Sequence, residues 1–185
     1  MCIRDRSMIA SYTVATRMEN ILMIPIIGIQ NTMATFAGQN MGARQPERVS
    51  KGLGQGVLVS LFMTAALCVC QLLGMELIIR AFKLDAAAAA ICRQHLFASV
   101  LSEPIFAIYF PANGMFQGVG EGFHATFYAL MALGLRVVFA YSLYRTAFFG
   151  YTAIWWSQAM AWTLTLITCY AHFFRGKWKE KSLVS

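Results

Sequence analysis

The residue types best suited to chemistry share one face of an apolar segment. Glu103 stands well inside that segment, directly before Pro104. On an ideal helix Glu103, Phe106, Phe110, Asn113 and Gln117 fall within about 80° of one another. An acid, two phenylalanines and two amides on one face suit a cleft that binds amphipathic cations. The rings would supply apolar area and cation–π contact, and the carboxylate would supply charge. A carboxylate in such a place could also take up and release a proton. The structural alternative is an acid paired with Arg17 or Arg136. Pro104 and Pro111 are expected to bend or unwind this helix.

A second polar set lies near the N-terminus. Thr13, Arg17, Asn20, Asn31, Thr35 and Gln39 fall within about 100° on a helix. Glu19 lies about 200° from Arg17, so the two cannot pair within the helix. Charge inside a membrane is costly, about 2.5–3.5 kcal/mol on insertion scales, and faces protein or a wet cavity. Two readings of the stripe stand. One is a cleft-lining face that meets substrate through Asn20, Asn31 and Thr35. The other is a polar seam between helices, with Arg17 and Glu19 as a charged end near the outer interface. Pro25 is expected to bend this helix.

Arg136 shares its helix face with Ala125, Ala129, Ala132 and Ala140. Small side chains let helices approach closely, so Arg136 should point into the bundle toward Glu19, Glu103 or backbone carbonyls, in a structural role. His95, His124 and His172 are far apart in sequence and near segment ends, so they read as interface residues and not as metal ligands. Trp155, Trp156 and Trp178 also read as interface markers. The five cysteines show no C-x-x-C pair or metal spacing. No P-loop, G-x-S-x-G or H-E-x-x-H is present, so motif-bearing ATPase or hydrolase chemistry lacks support.

The elements that carry these residues are set by composition. The chain is 58% hydrophobic and 12% charged, with a mean hydropathy of +0.58. A soluble domain carries about 25% charged residues, so these cannot cover a globular surface. The +7 charge forms no stripe that would mark a nucleic-acid partner. Uncharged runs span 20–43, 52–75 and 146–174, each long enough for the about 20 residues of a membrane span. Helices are expected at about 9–40, 52–80, 88–118, 122–144 and 150–174, because a spanning helix satisfies its own backbone. Arg44, Arg48 and Lys51 after the first span, and Arg175, Lys177, Lys179 and Lys181 in the tail, fall on one side with five spans. That side is expected to be cytoplasmic. Residues 1–7, MCIRDRS, read as a non-native leader, and residues 176–185 as a basic tail.

The stretch RMENILMIPIIGIQNTMATFAGQNMGARQPERV, residues 17–49, ends in a Gln-Asn-x-Gly-Ala turn. Its GQNMGA and the later NGMFQGVGEG contain Gly38-x-x-x-Gly42 and Gly114-x-x-x-Gly118, which are close-packing motifs. Together they resemble multidrug and toxic compound extrusion (MATE) transporters at their cytoplasmic helix ends. The resemblance covers nearly all of the chain after residue 8. It implies an all-α polytopic membrane protein, in which residues 8–175 supply five transmembrane helices, the eighth to twelfth, of one six-helix C-terminal lobe. The missing N-terminal lobe would be a partner of these helices, and the chain alone would not transport. The implied activity is multidrug efflux: a secondary antiporter of a prokaryotic inner membrane that moves organic cations or drugs outward against Na+ or H+, with no cofactor and no enzymatic step. In many members this lobe's coupling acids sit on the seventh and tenth helices. Here Phe106 occupies the position of the tenth-helix acid, and Glu103 lies one turn earlier. A flippase-like or other non-drug transporter of the same superfamily is the alternative.

Overall fold

The computed structural model describes residues 3–145 and 152–180. Five helices follow one another: α1 (Ile3–Gly42), α2 (Pro46–Ala81), α3 (Ala86–Gly118), α4 (Gly122–Tyr144) and α5 (Ala153–Arg175). A 3-10 turn over Lys177–Glu180 closes the described chain. The segment joining α4 to α5, with residues 150 and 151 of the expected last helix, lies outside the described residues. The first four helices are long and apolar enough to cross a membrane. The fifth is not among them, although an uncharged run had marked it as a span. Gln158, Thr163, Thr165 and Thr168 dilute its apolar residues.

Three helix ends share one device. Arg44, Lys83 and Gly120 adopt positive φ at 55°, 50° and 82°. The next residue's amide then reaches back five residues: Gln45 to the Asn40 carbonyl at 2.8 Å, Leu84 to Ile79 at 3.3 Å and Glu121 to Phe116 at 2.8 Å. This left-handed closure satisfies carbonyls that the helix end would leave bare. The following helices start cleanly because Pro46 occupies the first turn of α2. On α3, the Asp85 carboxylate accepts the Ala88 amide at 2.7 Å.

α3 is the central helix. Its packing against α1 depends on glycine, since a Cβ on Gly114 would strike the Gln30 carbonyl and one on Gly118 the Ala34 carbonyl. Gly38 sits against the Gly118 oxygen, 3.3 Å from where its Cβ would be. Two of the four motif glycines are therefore close-approach points and a third is near one, whereas Gly42 has open space. Neither Pro104 nor Pro111 interrupts α3, so that helix does not unwind there, and α1 is continuous through Pro25.

The core falls into two parts along α3. One gathers Tyr109, Ala112, Met115 and Phe116 with Met33, Ala37, Leu53, Tyr128 and Cys169. The other gathers Cys92 and Leu96 with Val14, Ala15 and Ile79. The outside is apolar, with Phe62, Leu73, Leu77, Leu130 and Tyr141 all exposed, as lipid requires. Trp178 is fully buried within the bundle. It stacks on Phe173 at 5.5 Å and donates to that residue's carbonyl at 3.1 Å. Beside it, Lys179 meets Glu47 at 2.9 Å, so the tail and the start of α2 share one end of the bundle.

Candidate functional site

Between the two core clusters lies a cavity of about 220 Å³. α1 lines it with Tyr12, Thr16, Glu19, Asn20 and Met23, residues spaced to lie along one helix face. α3 adds Glu103 and Phe106, α4 adds Arg136, and α5 adds Gln158 and Trp162. Two acids and one base thus face one space from three helices.

The two acids differ in their surroundings. One Glu19 oxygen is shared by the His95 Nε2, at 3.1 Å, and the Ser99 hydroxyl, which donates to it. His95 is buried between Tyr12 and Trp155, with ring centroids 5.5 and 4.9 Å away. His95 and Trp155 are thus packed inside the bundle. Glu103 is only 1% exposed, and its Oε2 has no hydrogen-bond partner. Arg136 is half-buried and lines the same cavity, yet no ion pair joins it to either acid among the described residues. A buried polar atom left without a partner costs about 1–3 kcal/mol.

An aromatic wall borders the acids. Trp162 lies 5.3 Å from Phe106, 4.9 Å from Tyr109 and 5.9 Å from Phe110. Such a wall offers flat apolar area and π faces beside carboxylates.

The other residues named from sequence go elsewhere. Asn113 is buried and fully engaged: its Oδ1 accepts from Gln30 at 2.9 Å and Gln117 at 2.8 Å, and its Nδ2 donates to the Tyr109 hydroxyl and the Ala125 carbonyl, both at 2.9 Å. It is a knot joining α1, α3 and α4. Gln117 is exposed and spends its amide on that knot. Asn31 and Thr35 lie on the exposed face of α1, and the Thr35 hydroxyl donates to the Asn31 carbonyl at 3.1 Å. Arg17 shares that outer face and does not line the cavity. The face is polar at Thr13, Arg17 and Asn20 and again at Asn31, Thr35 and Gln39, with exposed Ile24 and Ile27 between.

Sequence reasoning missed Tyr12, Thr16, His95, Ser99, Gln158 and Trp162. The available signal was the four-residue step, which pairs Tyr12 with Thr16, His95 with Ser99 and Gln158 with Trp162 on single helix faces.

The described helices form a membrane bundle with a charged, aromatic-walled cavity. The family model MatE matches residues 4–142. The chain belongs to that family, whose members are membrane transporters, and is a multi-pass membrane protein. It is also 35% identical over 49 residues to the FAD transporter of Shewanella oneidensis, a stretch covering 26% of this chain and 11% of that protein. The match thus spans only about a tenth of that relative's length. No solved structure matches.

Proposed function

We propose that these helices form part of a secondary active transporter that exports organic cations or drugs in exchange for Na+ or H+. The observation that carries this reading is Glu103, a buried carboxylate with an unpartnered oxygen facing a cavity shared with Glu19, Arg136 and Trp162. A cation entering the cavity would find charge in the acids and a π face in the indole. Glu103 and Glu19 hold the cation or the coupling ion, Phe106 and Trp162 hold its apolar part, and Arg136 adds a positive group to the cavity wall. Asn20 extends the polar rim.

The exposed polar patches of α1 suit a water-filled cleft or a second helical lobe better than lipid. The missing N-terminal lobe of the same protein is therefore the partner proposed for that face, and membrane lipid for the rest. Lys179 of the tail meets Glu47, just after the turn that holds Arg44, at one end of the bundle. That supports a cytoplasmic C-terminus in a prokaryotic inner membrane.

The likeness to a FAD transporter favours a second reading, export of a flavin dinucleotide or another non-drug solute. In that case Arg136 would meet the anionic group and the aromatic wall the flat ring.

The test is efflux from cells that express the full-length transporter carrying this sequence. Cationic dye and FAD export are measured under imposed Na+ or H+ gradients, with wild type beside Glu103→Gln. Gradient-driven dye efflux that disappears in the variant supports cation antiport through Glu103. FAD export without dye efflux supports the second reading. Dye efflux unchanged in Glu103→Gln overturns the role given to Glu103.

A further inference from the structure

A second cluster of chemistry-bearing side chains lies away from the cavity. Glu121 closes the α3–α4 turn, His124 lies in the first turn of α4, and His172 in the last turn of α5. Glu121 and His124 are three residues apart, and His172, distant in sequence, joins them in space. The Glu121 Oε2 lies 3.3 Å from the His172 Nε2 and 3.7 Å from the His124 Nδ1. One ligand atom from each residue lies within 4.8 Å of the other two.

We propose that Glu121, His124 and His172 form a Zn2+ site that ties the α3–α4 turn to the end of α5. Zinc bonds to imidazole nitrogen and carboxylate oxygen run about 2.0–2.2 Å, which sets neighbouring ligand atoms of a tetrahedron roughly 3.4 Å apart. The two measured edges lie close to that. Two histidines and one acid are a known zinc donor set, with water in the fourth position. Exposure suits this: the side chains of Glu121 and His172 are 4% and 16% exposed, and that of His124 is 43% exposed. Ion and water can therefore enter past His124.

The outer contacts are also those of a built site. The Tyr128 hydroxyl lies 2.7 Å from the His172 Nδ1, so the nitrogen turned away from the metal has its own partner, as ligating histidines require. Phe116 stacks on the His172 ring at 4.9 Å and 9°. The left-handed Gly120 and the Glu121 amide bonded to the Phe116 carbonyl hold the turn. This site is independent of the transport reading, and its role is to clamp one end of the bundle.

The test uses the 185-residue chain without a polyhistidine tag, purified in detergent micelles and stripped with chelator. Co2+ is titrated in and followed by the visible band of the four-coordinate ion, then displaced by Zn2+. One Co2+ per chain is expected, displaced by Zn2+, and Zn2+ should raise the melting temperature. His172→Ala and His124→Gln should each weaken binding by more than the about 10–100-fold that loss of an outer partner such as Tyr128 costs. His95→Phe should bind as wild type does. Because His124 is half exposed, His124→Gln keeps the fold, and its melting temperature in chelator should equal that of the wild type. Absence of a saturable band in the wild type, or binding by His124→Gln and His172→Ala equal to wild type, would overturn the proposal.

Discussion

Glu19 on α1 and His95 on α3 meet at 3.1 Å, and the same carboxylate oxygen takes the Ser99 hydroxyl. The contact joins the two helices beside the cavity. His95→Phe keeps a ring between Tyr12 and Trp155 but removes the Nε2 partner of Glu19. The expected cost is about 1–3 kcal/mol for a buried group left short of a partner. His95→Ala also loses both ring stacks and should cost a further about 0.5–1.5 kcal/mol for each. Denaturant unfolding in micelles measures both. Combined with Glu19→Gln, the His95→Phe effect should shrink by at least about 0.5 kcal/mol, because the two residues act as one unit. Strict additivity would mean that the contact carries no energy.

Glu103 should behave in the opposite way. Its Oε2 has no partner in the bundle, so the acid contributes little to holding the helices together. Glu103→Leu should leave stability unchanged or raise it by up to about 1–3 kcal/mol, by removing an unsatisfied buried group. Efflux by the full-length transporter should be lost in the same variant. A stability loss of several kcal/mol would mark Glu103 as a structural acid and remove the basis for placing ion or cation binding there.

The sequence carried the helices well because uncharged length and helical punctuation are local signals. Pro46, the Asp85 cap and the left-handed residues at the turns act over a few residues. The GQNMGA and NGMFQGVGEG stretches likewise put Gly38 and Gly118 on the facing surfaces of α1 and α3, although nothing local says that they touch. Glu103, Phe106, Asn20, Glu19 and Arg136 converge on the cavity, since each was a polar or aromatic exception in an apolar run. Asn113 and Gln117 shared the Glu103 face on an ideal helix, yet Asn113 bonds to Gln30 and Ala125 instead. A helical wheel gives direction and not neighbour. The Glu121, His124 and His172 cluster was illegible for the same reason: Glu121 and His124 are neighbours in one turn, but His172 is distant in sequence and meets them only once α5 packs on α4.

Asn113 provides a direct test of that distinction. Its four side-chain hydrogen bonds run to protein groups. Asn113→Ala leaves Gln30 and the Ala125 carbonyl without this partner. At about 0.5–1.5 kcal/mol per lost bond, the expected loss over four bonds is about 2–6 kcal/mol. Asn31→Ala, on the exposed face of α1, should change stability by less than about 0.5 kcal/mol. Transport per molecule of folded protein should be kept in Asn113→Ala, since the residue does not line the cavity. A specific loss of transport at normal folded amounts would put Asn113 back among the ligand-contacting residues.

Gly114 and Gly118 of α3 should be hard to replace, because their closest neighbours are backbone atoms. A Cβ on Gly118 would meet both the Ala34 carbonyl and the Ala37 Cβ, and one on Gly114 would meet three backbone atoms of Gln30. Backbone atoms cannot swing aside as a flexible side chain can, so α1 must move off α3. Overpacking of this kind costs about 1–3 kcal/mol. Moving α1 also strains the Gln30–Asn113 bond and the Glu19–His95 contact, so the effect should reach the cavity. Gly54→Ala on α2 is the control, because nothing lies within 4 Å of its Cβ position. It should be neutral or gain up to about 1 kcal/mol from helix propensity. Melting of the three variants in micelles separates the cases. If Gly114→Ala and Gly118→Ala melt with Gly54→Ala, the two helices do not pack through these glycines.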